Sequence, residues 1–129
     1  MIRLVLVAHA GLATALKASA EMIVGPIEEC SVVEVASGEH ADQIMAHVVS
    51  AVGSSQTGTI IMTDLFGGTP SNMAMSFLKD GLVEVITGVN LPMLMEFCSK
   101  RGRLAVAELA AELQRCGREG IVVAGDLLK

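Results

Sequence analysis

Short β-branched runs alternate with amphipathic helical windows from one end of this chain to the other, and that alternation is the strongest constraint on its fold. Strands that recur with a helix between them belong to a parallel sheet covered on both faces. The spacing predicts strands near 2–8, 31–36, 58–63, 83–87 and 119–124. Positions 4–7 are apolar without interruption and 59–62 nearly so, with Thr59 leading Ile60, Ile61 and Met62, as strands buried on both sides require, so these two are expected at the centre. Between them, Leu12, Leu16, Ala20 and Ile23 recur at helical spacing with Lys17 and Glu21 opposite, and Gly25-Pro26 ends that helix. Ala41, Ile44, Val48 and Val52 mark a second helix. A third is expected to open with Thr69 as N-cap and Pro70 at the first helical position, where its missing N–H costs nothing. A short helix near 91–100 and another near 103–116, with Val106, Leu109, Ala110 and Leu113, complete the order βαβαβαβααβ.

The 129 residues are enough for one core and not two, so residues 1–129 are read as a single domain. Several function classes drop out on composition. There is no Trp or Tyr and only three Phe, which leaves no platform for stacking bases, and a net charge of −5 opposes a phosphate backbone; no nucleic-acid partner is expected. Cys30, Cys98 and Cys116 match neither a zinc knuckle nor a CxxC pair, so reduced thiols and a cytoplasmic location are expected. A faint secretory pattern at the N-terminus is interrupted by His9, Thr14 and Lys17, and no apolar run nears the ~20 residues that span a bilayer, so no membrane insertion is expected. The eight methionines read as core filler. Neither a Walker A nor a GxGxxG sequence occurs, no metal-ligand spacing appears, and no cofactor is expected.

Two strand ends carry the candidate chemistry. His9 follows the first apolar run and precedes a helical pattern opening at Gly11, so its imidazole is expected to face the free amides of a helix N-terminus, a seat for an anion. Asp64 ends the third strand and opens the segment Asp64-Leu65-Phe66-Gly67-Gly68-Thr69-Pro70-Ser71-Asn72. Neutral imidazole is a nucleophile near neutral pH, and a carboxylate accepting its N–H would fix the tautomer and support charge developing on the ring. A hydrogen-bonded structural His9 beside a loop-capping Asp64 fits the same spacing. Gly67, Gly68 and Thr69 offer amides and a hydroxyl to a phosphoryl group, with Ser71 beside them, though a tight turn needs the glycines equally. Asn72 and Asn90 read as polar residues near the site, and His40 and His47 as solvated helix residues.

The whole order, together with Val7-Ala8-His9, the segment from Asp64 to Asn72, Thr87-Gly88-Val89-Asn90-Leu91-Pro92-Met93-Leu94 and Gly117-Arg118-Glu119-Gly120-Ile121, resembles the mannose-family IIA component of the bacterial phosphoenolpyruvate-dependent sugar phosphotransferase system. The likeness runs over nearly the full chain, is strongest through position 96, and thins in the last two helices. It implies that His9 takes a phosphoryl group from the histidine phosphocarrier protein and passes it to a IIB partner in sugar uptake, with Asp64 holding the imidazole. It also implies a three-layer, doubly wound α/β fold with four parallel strands in the order 2-1-3-4. The family forms homodimers that exchange a fifth, antiparallel strand, here 121–124. Ala10 stands where the family commonly has Gly or Ser. In such systems the sugar is chosen by the IIB and membrane partners, so this sequence does not name it. Two other readings compete: a regulatory module that binds partners according to phosphorylation of His9 without a cognate permease, and an aspartyl-phosphate receiver with Asp64 as acceptor. The second lacks the acidic pair that receivers carry after the first strand.

Overall fold

The computed structural model describes residues 1–53 and 57–129. In chain order the elements are β1 (Arg3–His9), α1 (Leu12–Val24), β2 (Cys30–Val35), α2 (Ala41–Val52), β3 (Thr59–Thr63), α3 (Thr69–Met75), β4 (Val83–Thr87), α4 (Leu91–Lys100) and α5 (Val106–Glu119), followed by a 3₁₀ turn at Ala124–Leu128. The four strands form one parallel sheet in the order β2-β1-β3-β4. This is the expected three-layer α/β architecture, and β1 and β3 are its buried centre.

Alternation along β1 assigns the two helical layers. Leu4, Leu6 and Ala8 pack with Ile60 and Met62 against Ala13 and Ala20 of α1, Leu94 and Phe97 of α4, and Leu109 and Leu113 of α5. Val5 and Val7 point the other way, with Ile61, onto Ile44, Val48 and Val52 of α2 and Ala74 of α3. Arg101, buried at the end of α4, closes the base of the first layer: its guanidinium donates to the carbonyls of Ile2 and Glu28 and lies over the Phe97 ring.

Four expectations need correction. In α1 the buried stripe is Ala13, Leu16 and Ala20, while Leu12 and Ile23 are exposed. Small alanines let this helix lie close to the sheet, and the rotation turns Glu21 inward to accept the Ile27 amide. The N-cap of α3 is Gly68, with Thr69 already helical, because the Asn72 amide bonds the Gly68 carbonyl and closes the first turn one residue earlier. Among the methionines Met62 and Met93 are buried, but Met1, Met22, Met75 and Met95 are exposed. Finally, positions 121–123 form no strand in this single chain: α5 runs on to Glu119, and Ile121, Val122 and Val123 lie exposed with no ladder partner. A strand exists only against an edge, and in this single chain the segment pairs with none.

Candidate functional site

Parallel strands deliver their C-terminal ends to one edge, and at a point where the strand order reverses the following helices diverge and leave a crevice. Here β1 and β3 are neighbours, with Val7 paired to Thr63, so His9, two residues on, and Asp64, one residue on, meet at that crevice. The two are 55 positions apart in sequence and in direct contact in space. Asp64 Oδ2 lies 2.8 Å from His9 Nδ1 and also accepts the His9 backbone N–H at 2.9 Å, while Oδ1 accepts the Leu65 N–H at 2.9 Å. One carboxylate thus grips its histidine by backbone and ring together.

The protonation pattern follows from this geometry. Burial, with the Asp64 side chain only 8% exposed, pushes its carboxyl upward; the amide and ring of His9, the Leu65 amide and the charge on His9 outweigh that and hold it below its ordinary value. An ionised Asp64 has only acceptor sites, so Nδ1 carries a ring proton, and in the neutral imidazole the lone pair is on Nε2. The His9 side chain is 47% exposed, enough for another macromolecule to reach it.

The glycine pair has two distinct duties. Gly67 takes φ +91°, a left-handed conformation that suits glycine, and its N–H donates to Ser71 Oγ at 2.9 Å. Gly68 has ordinary backbone angles but faces the imidazole: a Cβ there would stand 3.2 Å from His9 Cε1 and 3.7 Å from Nε2. Among the described residues no acceptor takes the amides of Gly68 or Thr69, so the start of α3 is open beside the ring.

The helix start expected to serve His9, that of α1, is partly occupied. At the start of α1, Glu34 of β2 accepts the Ala13 amide on Oε1 at 3.1 Å and the Thr14 amide on Oε2 at 3.2 Å, so two of that N-terminus's amides are already taken. Ser71 is wholly buried and bonded to the turn at Gly67 and Gly68, so it shapes the loop from beneath, whereas Thr69 is exposed at the rim. Asn72 is exposed on α3, and Asn90 caps α4, accepting the Met93 amide and donating to the Gly117 carbonyl. His40 is the N-cap of α2, and His47 pairs with Glu39.

Three features of the site escaped the sequence reading. Ala10 adopts φ +54°, a left-handed turn directly after the histidine. Leu65 and Phe66 stand 50% and 72% exposed on the loop beside His9. The third is Glu34, whose signal was a single acid in the otherwise apolar run Val32-Val33-Glu34-Val35. No group of three or more potential metal ligands exists among the described residues, and no described helix is long and apolar enough to cross a membrane.

Comparison with known proteins bears directly on this arrangement. The family described as "PTS system fructose IIA component" (EIIA-man) matches residues 3–114. A sorbose-specific EIIA component of Lacticaseibacillus casei is 33% identical over 90% of this chain and 86% of its own length. A mannose-specific EIIAB component of Escherichia coli is 32% identical over 93% of this chain, which covers 38% of that longer protein. Among solved structures, phosphotransferase system component EIIA from Streptococcus agalactiae superposes with a TM-score of 0.91 at 28% identity, covering 98% of this chain and 99% of its own.

Proposed function

Because the chain belongs to the mannose-type IIA family of the sugar phosphotransferase system, a family of phosphotransferases, we propose that His9 is its phosphoryl-carrying residue. The observation that carries this reading is the 2.8 Å contact between Asp64 and His9 Nδ1, which leaves Nε2 as the free nucleophile. In the forward step, Nε2 attacks the phosphorus of a phosphohistidine on the histidine phosphocarrier protein. A new N–P bond forms as the donor's N–P bond breaks, the donor imidazole leaves with the electron pair, and Nδ1 of His9 keeps its proton. The ring gains positive charge, which Asp64 opposes at hydrogen-bond distance. The unclaimed amides of Gly68 and Thr69, beside the ring, are the donors offered to the phosphoryl oxygens. Reversal of the same step onto a IIB component completes the transfer, and the EIIAB name of the Escherichia coli relative supports a IIB partner. The reaction uses no cofactor and belongs in the cytoplasm.

The proposal extends to a homodimer. A groove of about 570 Å³ runs along the free edge of β4, between that strand and α5, with Val85, Thr87, Gln114 and Ile121 among its walls. It suits a strand of 121–124 from a second copy.

Incubation with phosphoenolpyruvate, enzyme I and the phosphocarrier protein should add one phosphoryl group by intact mass. The product should be acid-labile and alkali-stable, and His9→Ala should abolish it. Label that persists in His9→Ala, or maps to His40 or His47, would overturn the assignment.

A further inference from the structure

Two helices begin beside His9, and their first turns are treated in opposite ways. Neither α1 nor α3 has a side-chain N-cap of its own or an acidic residue in its first turn. The start of α3 is left open against the imidazole, whereas two first-turn amides of α1 are taken by a carboxylate reaching across from β2. That carboxylate is Glu34, one register step from the histidine: Ala8 pairs with Glu34 and His9 with Val35.

The segment between His9 and α1 is where this contact acts. Ala10 sits at φ +54°, which a residue with a Cβ adopts only when the surroundings impose it. Its amide bonds the Val35 carbonyl at 2.9 Å, holding the near side of the turn to β2. Gly11 follows, with Glu34 Oε2 4.0 Å from where its Cβ would be. Ala13 and Thr14, held by the two oxygens of Glu34, fix the far side. The strained turn is therefore stapled to one strand at both ends, and the residue that enters it is His9.

We infer that Glu34 is a positioning residue for His9: by holding the Ala13 and Thr14 amides of α1 it pins the left-handed turn at Ala10, so that the imidazole stays on Asp64 and beside the open amides at the start of α3. This inference rests on the phosphoryl-carrying role of His9 for its kinetic consequence, but not for its structural one. Glu34 does not touch the reacting atoms. Its contribution is the fixed angle of the attacking nitrogen, and small misplacements of a nucleophile have large kinetic effects.

Glu34→Gln removes the charge and turns an amide N–H₂ toward one of the two backbone donors, while preserving the volume. The proton on His9 Nδ1, observed by NMR through its hydrogen bond to Asp64, should exchange with water several-fold faster than in the parent. Phosphorylation of His9 should slow about tenfold in kcat with KM for the phosphocarrier unchanged. Adding Ala10→Gly, which relieves the turn, should recover most of the loss, a rescue that a general loss of stability would not show. Unchanged exchange in Glu34→Gln, or a rate loss that Ala10→Gly leaves untouched, overturns the inference whatever the melting temperature does. If the parent itself takes no phosphoryl group, it is the role of His9 that fails, and the exchange measurement still decides the role of Glu34.

Discussion

At the scale of single residues, the site is a division of labour between two ring nitrogens, and Asp64 sets it. Asp64→Asn keeps the shape but removes the charge, and its amide can present a donor to Nδ1, so the preferred tautomer and the support for a charged ring are both lost. A charge-assisted hydrogen bond is worth about 1.5–3 kcal/mol, so phosphoryl transfer should slow by roughly one to two orders of magnitude while the far-UV spectrum stays that of the parent. The same variant tests the acid behaviour. The folded-state pKa of Asp64 is depressed from its ordinary 3.8, so its contribution to stability is fully present above that value and is lost as pH falls through the lower folded value. The melting-temperature gap between parent and Asp64→Asn should therefore hold steady at neutral pH and shrink below about pH 4. Equal transfer rates would reduce Asp64 to a turn residue. His9 and Asp64 were legible because each ends an apolar strand, a place that periodicity finds; Glu34 was not, since an acid near the end of a half-buried strand carries no mark of the helix it caps.

Elements succeed or fail in the sequence according to whether their partners are local. The four strands and the second helix were readable to within a residue or two, because burial on both faces or one leaves a period that needs no knowledge of the rest of the fold. The rotation of α1 was not, because whether alanine or leucine faces the sheet depends on how near the sheet is. The loop into α3 shows the same limit: two adjacent glycines advertise a turn, but only the fold says that one serves the backbone and the other the imidazole. Those separate duties give separable outcomes. Gly67→Ala places a Cβ at φ +91° and should cost about 1–2 kcal/mol of stability in chemical denaturation. Gly68→Ala meets no backbone strain, so its cost in stability should stay below about 1 kcal/mol, yet the new methyl crowds His9 Cε1 and should slow phosphorylation at least tenfold. A Gly68→Ala protein that transfers like the parent would show that the α3 start is not where the phosphoryl group sits.

For the whole molecule, the unfinished feature is an exposed apolar tail beside an unfilled sheet edge. Ile121, Val122 and Val123 are 74%, 58% and 64% exposed, and Leu127 and Leu128 more than 70%, on a chain whose β4 presents a free edge above the groove against α5. A free edge and a free apolar run are each a liability in water, and a second copy removes both through an isologous contact. At Gly120 the missing Cβ lets the chain lie against Pro92 as it leaves α5. The sequence shows that the run is apolar; which edge it finds depends on a second molecule, so no periodicity in one chain reveals it. Burial of each Val or Ile side chain is worth about 1.5–3 kcal/mol, enough in sum to make dimer and fold interdependent. The full chain should then sediment as a dimer and melt at a temperature that rises with protein concentration. A chain ending at Gly120, which spares α5 and the buried Gly117, should be monomeric or aggregating and melt lower, with no concentration dependence if monomeric. A full-length protein that stays monomeric at micromolar concentration, together with a truncated one that melts at the same temperature, would leave the tail without a partner and rule out the exchange.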